Sequence, residues 1–97
     1  MGVLYRLRGL VRRPGFFSTF ALEGIEPGSV VAQRLASCIG DLRKAQSLPA
    51  PGDLEVIVPP TSTGWMRRVA GTDLWLYYGV SSNGDVVLWA VKSYWRR

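Results

Sequence analysis

From residue 54 onward the apolar and polar positions follow the short period of β-strands, and between residues 29 and 46 they follow the longer period of a helix. Leu54–Val58, Trp65–Val69, Leu74–Val80 and Val86–Val91 are rich in aromatic and β-branched residues and bounded by turn formers, which predicts four strands in succession. Pro59-Pro60-Thr61-Ser62-Thr63-Gly64 reads as a loop, and Ala70-Gly71-Thr72-Asp73 as a turn. Asn83-Gly84 predicts a two-residue type I′ hairpin turn, because that turn needs positive φ at both central positions. Val86–Val91 has no polar interruption, which predicts a strand buried on both faces in the middle of the sheet.

The first half of the chain reads differently. Val3–Val11 predicts a strand with Val3, Tyr5 and Leu7 on one face and Arg6 and Arg8 on the other, ended by Arg12-Arg13-Pro14-Gly15. Phe16–Leu22 has the spacing of a short helix, interrupted by Gly24 and Pro27. A second helix is expected from about Pro27-Gly28-Ser29, with Val31, Leu35, Cys38, Ile39 and Leu42 along one stripe and Ser29 as its cap. It should stop near Gln46, ahead of Pro49, and Leu48–Asp53 then links it to the strands. This order predicts an α+β fold: an N-terminal strand, a two-helix hairpin, then a mostly antiparallel sheet of about four strands with the helices on one face.

Composition narrows the picture. The 97 residues suit a single domain over 1–97 that buries a core without disulfides. The lone cysteine, Cys38, falls on the apolar helix stripe and is expected to be a core thiol. Arg6 and Arg8 break the first apolar run, so neither a secretory signal nor a membrane span is expected, and the chain reads as cytoplasmic. Twelve Lys and Arg against seven Asp and Glu point to a polyanionic partner, because phosphate binding releases counterions.

The chemistry open to the chain is limited by what it lacks. With no histidine and one cysteine, neither Cys/His zinc sites nor a nucleophile paired with histidine can form, and no metal or cofactor is expected. No glycine-rich phosphate loop follows a strand. What remains is a cationic and aromatic set: Arg67, Arg68, Trp75, Tyr77, Tyr78, Trp89, Lys92, Tyr94, Trp95, Arg96 and Arg97. Bases of single-stranded RNA stack on rings and guanidinium planes while charge holds the phosphates, so this set suits RNA. The arginines at 6, 8, 12 and 13 are a second candidate phosphate-contacting group, or else a guard against edge pairing. The competing reading of the aromatics places Leu74, Leu76, Tyr78 and Val80 in the core and makes Trp75, Tyr77 and Trp89 cross-strand pairs.

Trp65-Met66-Arg67-Arg68-Val69, then Leu74-Trp75-Leu76-Tyr77-Tyr78, then the hairpin at Ser81–Asp85, resemble the sheet of the RelE/ParE toxins of toxin–antitoxin systems, nearest to the YoeB subgroup. By element order the resemblance spans nearly the whole chain; its residue-level part lies within about 64–94. It implies a cytoplasmic toxin that cuts messenger RNA on the ribosome by attack of a ribose 2′-hydroxyl on the adjacent phosphodiester, without a metal, and an acidic antitoxin as protein partner. Carried over by position, Arg67 and Arg68 match the paired arginines of the family strand and Tyr94 its terminal aromatic acid. Asp53 or Glu55 lies where some members keep a base. Lys92, Arg96 and Arg97 complete the candidate cations. The sequence departs from the family at Trp75, where an arginine usually binds the scissile phosphate. Either Arg68, Lys92 and the Arg96-Arg97 tail replace that charge, or ribonuclease activity is lost. Two alternatives follow from the same resemblance: a non-catalytic module binding RNA or protein through Trp75, Tyr77 and Trp89, and a ParE-like toxin acting on a topoisomerase.

Overall fold

The computed structural model describes residues 10–12, 15–16, 19, 23–45, 47–58, 62–81 and 84–93. They form an α+β fold: β1 (Leu10–Arg12), α1 (Val30–Lys44), β2 (Leu54–Val58), β3 (Ser62–Arg68), β4 (Leu74–Val80) and β5 (Val86–Ser93). The strands make one sheet in the order β1-β5-β4-β3-β2, antiparallel except that β1 runs parallel to β5. Of the expected N-terminal strand, residues 3–9 lie outside the described residues, and so does most of the expected helix over 16–22.

α1 starts where the sequence offers a cap. The Ser29 hydroxyl accepts the Ala32 N–H at 3.1 Å, satisfying one of the amides that the first turn leaves without a helical partner. Pro27 therefore precedes the helix and does not form its first turn. Arg43 and Lys44 occupy the last turn, where cations favour the helix dipole. Leu35, Cys38 and Leu42 are buried on the stripe, with Val31 and Ile39 packed beside them.

The core lies between this stripe and one face of the sheet. Alternation along β4 sends Leu74, Leu76 and Tyr78 to the helix side, where they meet Val86, Leu88 and Val91 of β5. Phe16 joins this core at 1% exposure. Thr19 closes the same region, its hydroxyl donating to Phe16 O at 2.6 Å and accepting the Val91 N–H at 3.1 Å, beyond the reach of β1.

Two strand expectations are corrected. β3 begins at Ser62, so Ser62, Thr63 and Gly64 pair with β2 and do not belong to a loop. β5 is interior to the sheet, but its outer face is not buried throughout: Ala90 is buried there, whereas Val87 and Trp89 are half-buried. The register steps from Tyr77↔Ala90 to Tyr78↔Leu88, leaving Trp89 as the extra residue of a bulge. That extra residue keeps Leu88 and Val91 on one face despite their spacing.

The β4–β5 hairpin is also closed differently from a two-residue turn. Ser81 N–H donates to Asp85 O at 2.9 Å and Gly84 N–H to Ser81 O at 3.0 Å, making Ser81 and Asp85 the closing pair. Gly84 has a φ of 90°, as the last position of a three-residue hairpin loop requires. A Cβ there would meet nothing within 4 Å, so backbone strain alone opposes a side chain. Gly84→Val is expected to lower stability by about 1–2 kcal/mol in chemical denaturation. An unchanged midpoint would contradict this geometry.

Candidate functional site

Consecutive strand residues point to opposite faces, and this separates the two arginines of the Trp65–Val69 motif. Arg67 lies opposite Leu76 and so faces the helix; Arg68 lies opposite Trp75 and faces away.

On the helix side Arg67 is held by a carboxylate. Its Nε donates to Asp53 Oδ1 and its Nη2 to Asp53 Oδ2, both at 2.9 Å, a bidentate fork. Tyr78 donates its hydroxyl to Asp53 Oδ2, and the Ala50 N–H donates to the same oxygen at 3.1 Å. The Asp53 side chain is only 3% exposed. Burial pushes its carboxyl up, but the hydrogen bonds from Arg67, Tyr78 and Ala50 outweigh that and hold it below its ordinary value. A carboxylate with these partners is a poor proton acceptor for a substrate. Asp53 and Arg67 thus act as a part-buried ion pair that ties the approach to β2 onto β3, and Arg67 is not brought to the face that carries Arg68. Glu55, the other residue expected in the base region, is exposed on the edge strand β2, opposite Trp65.

Burial raises two acids of this inner layer. It pushes the Cys38 thiol to about 11 from 9.0, and it lifts the Tyr78 hydroxyl, which also donates to Asp53. A raised folded-state value keeps its contribution below the unfolded value and loses it as pH rises between the two. Stability should therefore fall as pH climbs from 9.0 toward about 11, with Cys38 the first group to act. Thermal melts across that range are expected to show a declining Tm, and Cys38→Ala a shallower decline. A flat Tm would contradict the assignment.

The opposite face carries the cations and rings. Arg68 pairs across to Trp75, and Trp75 to Lys92, so the three form one row over β3, β4 and β5. Two strand spacings, about 9.5 Å, separate the outer two backbones. Tyr77 sits two residues along β4 on the same side, between Met66 and Ala90. The Lys92 ammonium lies 5.6 Å from the Tyr77 ring centre and the Arg68 guanidinium 5.9 Å from that of Trp75. Arg68 Nε also donates to Thr72 O at 2.8 Å, which fixes the side chain at the β3–β4 turn. Both cations are exposed and both rings are half-buried. Each cation thus lies over a ring, so this face combines positive charge with aromatic surface, the two features single-stranded nucleic acid needs.

Of the other expected RNA contacts, Arg12 is exposed on β1, level with Leu88 and four residues along β5 from Lys92, outside the row. Arg6, Arg8, Arg13, Tyr94, Arg96 and Arg97 lie outside the described residues. The row accordingly supplies charge and stacking surface, while Tyr94, the expected proton donor, follows two residues after Lys92 in the chain. Among the described residues no helix is long and apolar enough to cross a membrane. The chain matches no family model, no curated protein and no solved structure.

Proposed function

We propose that this protein binds single-stranded RNA on the sheet face opposite α1 and acts as a RelE-like toxin that cleaves ribosome-bound messenger. The observation that carries the reading is the Arg68–Trp75–Lys92 row, with Tyr77 beside it. In this reading a base stacks on the Trp75 ring and the flanking phosphates meet Arg68 and Lys92. Trp75 thereby turns the position of the family arginine into a stacking platform, and the charge that arginine would bring comes from its two cross-strand neighbours. Cleavage by a 2′-hydroxyl gathers negative charge on the phosphorane, which the two fixed cations stabilise. The attacking 2′-hydroxyl gives its proton to water, Tyr94 protonates the leaving 5′-oxygen, and Arg96 and Arg97 add to the field that draws RNA in. The finer architecture belongs to the same proposal: a helix over 16–22 forms a hairpin with α1, and an acidic antitoxin covers the cationic surface.

The replacement of the family arginine by Trp75 favours one competing reading, a module that binds RNA through the same face without cutting it. Mapping transcript ends after brief induction separates the two. New ends within translated messages, with translation arrest, are expected for the toxin; growth arrest without new ends, or no effect, would leave only the binding module.

A further inference from the structure

A second cationic feature lies beyond the row, around the end of β3. A cleft of about 330 Å³ opens between α1 and that strand, and three of its lining residues are Arg34, Arg67 and Arg68. Each guanidinium is moored by a different device. Arg67 is gripped from behind by Asp53 through Nε and Nη2. Arg68 is anchored through Nε to Thr72 O. Arg34, exposed on α1, lies flat against Gly71: a Cβ built there would be 2.9 Å from its Nη1 and 3.0 Å from its Cζ and Nε. Near-equal distances to three atoms of the plane place the group over the turn, where the φ of 78° at Gly71 favours glycine.

Among the described residues Arg34 makes no ion pair, since the Arg67–Asp53 bridge is the only one they contain. Asp41 is the one carboxylate lining the cleft. Asp53 neutralises Arg67, so the charge left at the opening is that of Arg34 and Arg68 against Asp41, a net positive charge that an anion can meet. Gln33 and Ser37, one helical turn apart on α1, add neutral donors to the same wall. Guanidinium forks and hydroxyl or amide donors around a small opening are the chemistry of phosphate recognition.

We propose that this cleft is a phosphate subsite, which receives a backbone phosphate of the RNA strand whose base lies on Trp75. Arg68 belongs to both places, so a strand crossing the row from Lys92 passes over the β3–β4 turn and reaches Arg34. The inference rests on the RNA-binding reading and extends it to a residue far from the row in sequence.

The test is binding of a short single-stranded RNA oligonucleotide of mixed sequence by fluorescence anisotropy over a range of salt, with the wild-type chain, Arg34→Gln and Lys92→Ala. Both side chains are exposed, and each variant is first shown by its melt to be folded. Arg34→Gln is expected to weaken binding about fivefold to tenfold at low salt and to reduce the slope of log affinity against log salt by about 0.7, the loss of one phosphate contact. Weaker binding in Lys92→Ala but an unchanged affinity and slope in Arg34→Gln would overturn the subsite and leave the row intact. Weaker binding in Arg34→Gln alone would keep the cleft as a phosphate site and remove the row. No binding by the wild-type chain would overturn both.

Discussion

Asp53→Asn is expected to destabilise the fold by about 2 kcal/mol, because it leaves the part-buried Arg67 guanidinium without its counter-ion. Asparagine presents one carbonyl oxygen to a fork that now engages two carboxylate oxygens, and its amide would face the Arg67 donors or the Tyr78 hydroxyl. Tyr78→Phe should be milder, about 1.5 kcal/mol, since it removes one hydrogen bond to a charged group and leaves the ring in the core. The acid limb gives a second readout. A carboxyl held below its ordinary value contributes stability above the unfolded value, near 3.8, and loses it as pH falls through the folded one. Asp53→Asn should therefore flatten the acid limb of the stability profile as well as lower it. Equal stability of the variant and wild type in urea would show that the pair is an ornament of the surface.

The second large effect belongs to Arg68. A guanidinium fixed at the site stabilises the phosphorane more than the ground-state diester, because negative charge grows in the transition state. On the proposed ribonuclease reading, Arg68→Ala should lower cleavage by roughly 10²-fold or more, about 2.7 kcal/mol of barrier. Arg68→Lys should recover part of this, since an ammonium keeps the charge but not the fork. Stability should change by less than about 1 kcal/mol, because the side chain is exposed and its partners are one carbonyl and the Trp75 ring. Loss of activity without loss of fold is the signature that distinguishes Arg68 from Arg67.

That contrast shows how far sequence reaches in this molecule. Helix α1, its Ser29 cap and the order β2-β3-β4-β5 were legible because apolar spacing and turn residues agree along those segments. The core face of β4 was legible for the same reason. Register was not. Arg67 and Arg68 read as a catalytic pair by analogy, yet strand alternation alone places Arg67 with Leu76 on the core side, and a charge there needs a buried partner. Asp53 is that partner, fourteen residues away across the sheet, a distance in the chain that no local pattern spans. The bulge at Trp89 was hidden because an unbroken apolar run carries no mark of where the ladder slips. Arg34 was hidden more deeply: it reads as a solvated position on the polar side of the helix, and its seat depends on Gly71 coming under it in the folded chain.

The central claim is that the face carrying Arg68, Trp75 and Lys92 handles RNA for cleavage. Single-turnover cleavage of messenger on programmed ribosomes tests it most directly, with wild type, Arg68→Ala, Lys92→Ala and Arg12→Ala compared at equal folded concentration. Rapid cutting is expected of wild type and of Arg12→Ala, with a loss of about 10²-fold in each of the two row variants. Equal rates for wild type and the row variants, or an intact message with wild type, would contradict it.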